Sequence, residues 1–162
     1  FPLVTLLCER PAGFIHFELT PHHFLVTDAG LHIFDLEQAT IGPLEFDLAT
    51  LLAQPESEVG DDMLASLVQY YRVCGSESGL PVDADTERGV SYATLFKCLV
   101  YAGAAAHFLD RFGGEHHLQR FHYYLNRCQT VIGRWPALRP LGAVLGPKFR
   151  AARSAAGKSR TR

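Results

Sequence analysis

The sequence predicts an α+β protein, predominantly helical, with a β-hairpin packed on four to five helices. Three observations carry this. Two short apolar runs flank the tight-turn residues Thr27-Asp28-Ala29-Gly30 in the first third of the chain. After Pro43 the apolar spacing changes to a 3-4 rhythm and keeps it. The 162 residues, 48% hydrophobic and 20% charged, suffice for one domain with a real core and exclude wholesale disorder.

In chain order, residues 13–17 read as a short strand, and Pro21 interrupts any regular element after it. Residues 23–35 read as the hairpin, with Phe24-Leu25-Val26 and Leu31-His32-Ile33-Phe34 as its arms. The first third as a whole is expected to be strand and loop. Leu48, Leu51 and Leu52 begin a helical face that stops near Pro55. A second helix follows Ser57, with Leu64, Leu67, Val68 and Tyr71 on one face and Gly75 as its stop. After a loop rich in Gly, Ser and Pro, a long helix spans 85–112, carrying Tyr92, Leu95, Phe96, Leu99, Gly103 and Ala106 on one face. Gly113-Gly114 ends it. Leu118, Phe121, Leu125, Cys128 and Ile132 define the next helix, Trp135-Pro136 breaks it, and a short helix to about Leu145 follows. A lone hairpin is marginal in water, so it must pack on the helices.

The formal charge of −2 hides an asymmetry. Residues 148–162 hold six basic side chains and no acid, while the other 147 residues carry 9 basic against 17 acidic groups. An acidic body argues against nucleic-acid binding, and the basic end reads as a disordered tail. Four cysteines without CxxC spacing read as reduced, mostly buried thiols, which points to the cytoplasm. The longest apolar helical stretch, about 99–109, falls short of the roughly 18–20 residues a bilayer needs, so no membrane is expected. The chain starts Phe1-Pro2 and its one methionine is Met63, so it is expected to be a fragment.

Polar residues collect in and around the hairpin: His16, Glu18, His22, His23, Asp35, Glu37, Glu45 and Asp47. Asp35 ends the second arm after three apolar residues. A carboxylate there suits a metal ligand and equally an Asx turn or helix cap. A zinc site from His16, His22, His23 and His32 is disfavoured, because alternation along strands scatters them.

The order of these residues carries a resemblance. The stretch HFELTPHHFLV, followed by LHIFDLEQATIGPLEFDLATLL, resembles the catalytic segment of the aminoglycoside phosphotransferase and choline kinase-like family. That family has the protein-kinase-like fold. Its pattern is H-x-D-x-x-x-x-N, a short hairpin, an apolar-Asp-aromatic strand end and a G-x-x-x-x-D-L-A helix start. The resemblance implies residues 1–147 to be the C-terminal catalytic lobe, with 148–162 the tail. It implies transfer of the γ-phosphoryl group of ATP to a hydroxyl of a sugar, aminoglycoside or amino alcohol, with Mg2+ or Mn2+. Glu18 takes the catalytic carboxylate position, Asp35 and His23 the metal positions, and His16 and Asp47 support the loop; Glu37 is a further candidate for substrate or metal contact. Glu18 and His23 depart from the family's Asp and Asn. The added methylene at Glu18 moves the carboxylate by about 1 Å, a displacement that can cost on the order of 10²-fold in rate. These departures also fit a non-catalytic, kinase-like binding or scaffold domain. No Gly-rich phosphate loop and no early strand lysine are present, the first lysine being Lys97. The ATP-covering lobe is therefore expected upstream, and the isolated chain is expected to be inactive.

Overall fold

The chain opens with a helix where strand and loop were expected. In the computed structural model, which describes residues 2–57, 59 and 61–158, α1 spans Pro2–Cys8. Proline is well placed at the first helical position, whose N–H has no intrahelical partner anyway. Leu3 and Leu7, one turn apart, are both buried. Their i, i+4 spacing was the available signal.

Strand β1 (Ala12–Ile15) follows, then a single 3-10 turn at Pro21–His23. Strands β2 (Phe24–Thr27) and β3 (Gly30–Ile33) form the expected hairpin, with Phe24 opposite Ile33 and Thr27 opposite Gly30. Gly30 has φ +125°, a conformation that glycine adopts without a Cβ penalty. A second 3-10 turn, Leu36–Gln38, leads to β4 (Thr40–Pro43), which pairs antiparallel with β1 from Ala12↔Pro43 to Ile15↔Thr40. Sequence reading missed β4. Its Gly42-Pro43 ending speaks against a strand, but a two-stranded ribbon has a free edge that tolerates proline. A Cβ at position 42 would lie 2.7 Å from the end of the Ile15 side chain, so glycine lets the two strands pair without displacing that buried residue.

Five helices complete the chain: α2 (Glu45–Ala53), α3 (Asp61–Glu77), α4 (Thr86–Phe112), α5 (Glu115–Arg134) and α6 (Arg139–Lys158). Helix α3 runs past Gly75. It ends instead at Gly79, φ +74°, where Leu80 N–H donates to Gly75 C=O at 2.8 Å and Gly79 N–H to Ser76 C=O at 3.1 Å. That pair of bonds is a Schellman cap, which satisfies the last carbonyls of the helix. Gly113, φ +66°, closes α4 as expected.

Helix α6 is longer than expected. It continues through Pro147 to Lys158, so the segment read as a disordered tail is helical as far as Lys158; residues 159–162 lie outside the described residues. The compensation for the hydrogen bond that proline removes is burial, because Phe149 sits in the core one turn beyond the expected stop.

Among the described residues the chain divides into two units, one from Leu3 to Thr94 and one from Leu95 onward. In the first, Leu52, Val68 and Val90 form a core cluster with Leu48, Val59, Leu64 and Leu67 packed against it. In the second, Leu118, Tyr124, Leu125 and Cys128 of α5 are buried, as are Leu138, Leu141 and Phe149 around α6. Among the described residues α4 is long and apolar enough, by length and composition, to cross a membrane, which exceeds the 99–109 stretch read from sequence. Part of its apolar surface serves the interior: Val90, Tyr92, Ala93, Leu95, Cys98, Ala102 and Ala105 are buried, while Val100, Phe108 and Phe112 are exposed. All four cysteines are free; Cys98 and Cys128 are buried, Cys74 is partly buried and Cys8 is exposed.

Candidate active site

The site is built where β1 runs out. Ile15 is the last strand residue and is buried, and His16 after it is buried too. Phe17 then takes φ +72°, unusual for a bulky side chain. Such a residue costs about 1–3 kcal/mol and persists only when its surroundings hold it. Here the holder is Asp47, in the first turn of α2. Its Oδ2 accepts the His16 N–H at 2.8 Å and its Oδ1 accepts the Phe17 N–H at 2.9 Å. The Phe17 ring stacks on Phe46 at 5.9 Å, and the Thr50 hydroxyl reaches the Phe17 carbonyl at 3.4 Å while donating chiefly to Phe46 C=O at 2.7 Å.

The two histidines have defined tautomers because each faces a carbonyl, which can only accept. His16 Nε2–H donates to Phe34 C=O at 2.8 Å, leaving its buried Nδ1 without a hydrogen-bond partner. His23 Nδ1–H donates to Glu18 C=O at 2.7 Å. The two imidazoles stack at 5.2 Å, and the Phe34 ring meets His23 edge-on at 6.1 Å. Phe34 N–H in turn donates to His23 C=O at 3.2 Å. The hairpin and the loop after β1 are thereby locked together through three bonds and two ring contacts.

Asp35 follows with φ +67°, a left-handed position that Asp tolerates better than most residues. Its side chain makes no cap to the next turn. Instead Oδ2 lies 3.4 Å from His23 Nε2. The fold therefore brings His16, Glu18 (through its backbone), His23, Asp35 and Asp47 into one cluster. Glu37 stands apart, exposed on the 3-10 turn, and His22 and His32 take no part. Among the described residues no three His, Cys, Asp or Glu side chains converge as a metal-binding set. A divalent cation still fits the donors present. His23 offers Nε2 with its lone pair free when neutral, and Asp35 offers a carboxylate oxygen, which leaves the other ligand positions to water or further oxygen donors.

Sequence reading missed two features. Phe17 and Thr50 have no motif, and only the backbone angle shows the role of the former. The other is an ion cluster that anchors the base of α2. Arg10 donates from Nε and Nη2 to Glu45 Oε1 at 2.8 and 2.6 Å, and from Nη2 to Asp83 Oδ1 at 2.9 Å. The Arg10 and Glu45 side chains are 9% and 4% exposed. Gly89 of α4 makes room, since a Cβ there would lie 2.5 Å from Glu45 Oε1. Burial alone lowers the Arg10 pKa, but hydrogen bonds and charge from Asp83 and Glu45 outweigh it and hold the guanidinium above its ordinary value. The same hydrogen bond holds the half-exposed Asp83 below the ordinary carboxylate range. Tyr71, whose hydroxyl donates to Leu44 C=O at 2.9 Å, is pushed up to about 12 by burial and by the nearby Glu45 and Asp47 charges. The signal for this cluster was that Arg10 is the one Lys or Arg among the first 71 residues.

The chain is similar to the N-acetylmuramate/N-acetylglucosamine kinase of Neisseria meningitidis serogroup B, 27% identical over 146 residues, covering 88% of this chain and 44% of the relative. The enzyme of the same name from Pseudomonas aeruginosa is 24% identical over 151 residues, covering 88% of this chain and 43% of the relative. The chain thus spans less than half the length of these curated relatives. The model of the phosphotransferase enzyme family matches residues 2–84, which hold α1, both strand pairs, the Asp47 clamp and the His23–Asp35 pair. That match covers half of the chain, and the chain belongs to the phosphotransferase enzyme family.

Proposed function

We propose that this chain is the C-terminal catalytic lobe of a protein-kinase-like sugar kinase, which moves the γ-phosphoryl group of ATP to a hydroxyl of an N-acetylated amino sugar. The observation that carries it is the bidentate Asp47 clamp on His16 and Phe17, which sets the loop that carries Glu18 and leads to His23, whose Nε2 lies 3.4 Å from Asp35. The relatives' names support the acceptor class. The exposed apolar side chains of the strand layer, among them Phe14, Val26, Leu31 and Ile41, support a covering body: a nucleotide base and a further lobe would bury them. The cytoplasm is the compartment this reading assigns, since ATP is its co-substrate.

Phosphoryl transfer is mainly positioning and charge neutralisation. Glu18 accepts a hydrogen bond from the acceptor hydroxyl and takes its proton as the new O–P bond forms; the bond from the γ-phosphorus to the β–γ bridging oxygen breaks and ADP leaves. Asp35, with His23, would hold the divalent cation, Mg2+ or Mn2+, which would neutralise charge on the phosphates. Asp47 and His16 act at one remove, by fixing the loop that carries Glu18.

The test is an assay with a form of the protein extended upstream of Phe1. ATP with N-acetylglucosamine or N-acetylmuramate should yield a phosphosugar, detected by mass spectrometry, and ADP. Glu18→Gln should lower kcat by roughly 10²-fold or more. A phosphosugar rate unchanged by Glu18→Gln refutes the role of Glu18. Absence of any phosphosugar in the extended protein overturns the kinase reading and favours a binding or scaffold domain.

A further inference from the structure

We propose that the His23–Asp35 pair selects a first-row transition cation, of which Mn2+ is the probe, over Mg2+, with the His23 imidazole as a direct ligand. The inference rests on the phosphotransferase reading of this site and goes beyond it in naming the ligand atom and the metal class.

Four features of the pair lead there. First, the His23 tautomer is set: Nδ1–H is engaged by Glu18 C=O at 2.7 Å, so the lone pair of the neutral ring lies on Nε2. A metal-binding histidine almost always donates its other N–H to a carbonyl or carboxylate in this manner. Second, Nε2 and Asp35 Oδ2 are 3.4 Å apart. Two adjacent ligands of an octahedral cation, each at about 2.1 Å, are separated by about 3.0 Å, so a shift of about 0.4 Å completes the pair. Third, the imidazole is not free to swing away. It is held between the buried His16 ring and the Phe34 edge, and its side chain is 17% exposed. Fourth, the Asp35 side chain is 46% exposed, which leaves room on that side for phosphate and water oxygens.

A preorganised nitrogen donor decides the metal class. Magnesium is hard, keeps oxygen ligands and dehydrates reluctantly, so replacing one oxygen with imidazole weakens it. Manganese and the later divalent ions accept mixed nitrogen and oxygen sets, with affinity rising along the series. A plain His23–Asp35 ion pair is the competing account of the same 3.4 Å distance, and it makes different predictions.

The experiment uses the full chain with Mn2+ alone, followed by EPR, and with Mg2+ as competitor. Mn2+ should bind with an affinity roughly tenfold or more above that of Mg2+. Pulsed EPR of the bound ion should show a 14N coupling of a directly ligated imidazole. His23→Asn should remove that coupling and shrink the Mn2+ to Mg2+ preference by about tenfold, while His32→Asn, in the exposed hairpin arm, should change neither. Circular dichroism and melting of each variant establish that it is folded; His23→Gln serves if His23→Asn is not. Failure of Mn2+ to bind, bound Mn2+ without 14N coupling, or a preference unchanged in His23→Asn each overturns the inference. Asp35→Asn separates the two levels: loss of Mn2+ binding supports the metal position at Asp35 whatever His23 does, and unchanged binding overturns that underlying reading as well.

Discussion

Removal of the Asp47 carboxylate is the sharpest perturbation of this architecture. Asp47→Ala takes the acceptor from the His16 N–H at 2.8 Å and the Phe17 N–H at 2.9 Å. Hydrogen bonds to a charged acceptor contribute about 1.5–3 kcal/mol each, which bounds the loss at about 3–6 kcal/mol. Two effects reduce it. Asp47 is only partly buried, so water reaches part of the vacated site. Phe17 is also released from its positive φ, a relief of about 1–3 kcal/mol. The net expectation is a destabilisation of about 2–4 kcal/mol. Asp47→Asn should be no milder, because its amide presents N–H groups to one of the two backbone donors. Urea denaturation followed by circular dichroism measures the loss, and amide hydrogen exchange at His16 and Phe17 locates it. A loss under about 0.5 kcal/mol with unchanged exchange at those two amides refutes the clamp.

Three other outcomes follow from the same packing. Arg10→Met should cost about 3–5 kcal/mol, since it strands Glu45, whose side chain is 4% exposed and whose Oε2 already lacks a hydrogen-bond partner. Adding Glu45→Leu should recover most of it in the same urea titration. Gly89→Ala, which in an ordinary helix interior gains about 1 kcal/mol, should here lose about 1–3 kcal/mol because the new methyl lies 2.5 Å from Glu45 Oε1; a stabilised variant contradicts the Arg10–Glu45 geometry. Tyr71 gives a pH signature. An unfolded tyrosine ionises near its ordinary value of 10.0, while the folded one holds its proton to about 12. The unfolded state therefore binds fewer protons in that window, and stability should fall as pH rises from 10 to 12. After allowance for solvent screening the fall is on the order of 1 kcal/mol. Tyr71→Phe should flatten this slope in melts taken across the range, and a slope that persists assigns it elsewhere.

What was legible in the sequence was local. The hairpin follows from two apolar runs about a turn, and α2, α4 and α5 follow from 3-4 spacing and from Gly113, because these signals act within one or two turns of chain. The misses share a cause as well. Strand β4 exists because β1 pairs with it from 25 or more residues away, and that pairing outweighs its Gly-Pro ending. Helix α6 passes Pro147 because Phe149 finds a buried place. Helix α3 passes Gly75 because the left-handed turn it needs is supplied later, at Gly79.

The site divides along the same line. Its residue types and their order, from His16 to Asp47, were readable because a family pattern is written in residue types at fixed spacings along the chain. Their geometry was not. Sequence left Asp35 equally a turn residue or a ligand, and only the fold sets its oxygen 3.4 Å from His23 while the turn cap goes unmade. Sequence was silent on Phe17 and Arg10, whose roles arise from partners 30 to 73 residues distant. Local propensity and motif order specify which groups this chain brings. Long-range packing alone decides how they meet, since a distance between side chains far apart in sequence is a property of the closed core and of no segment by itself.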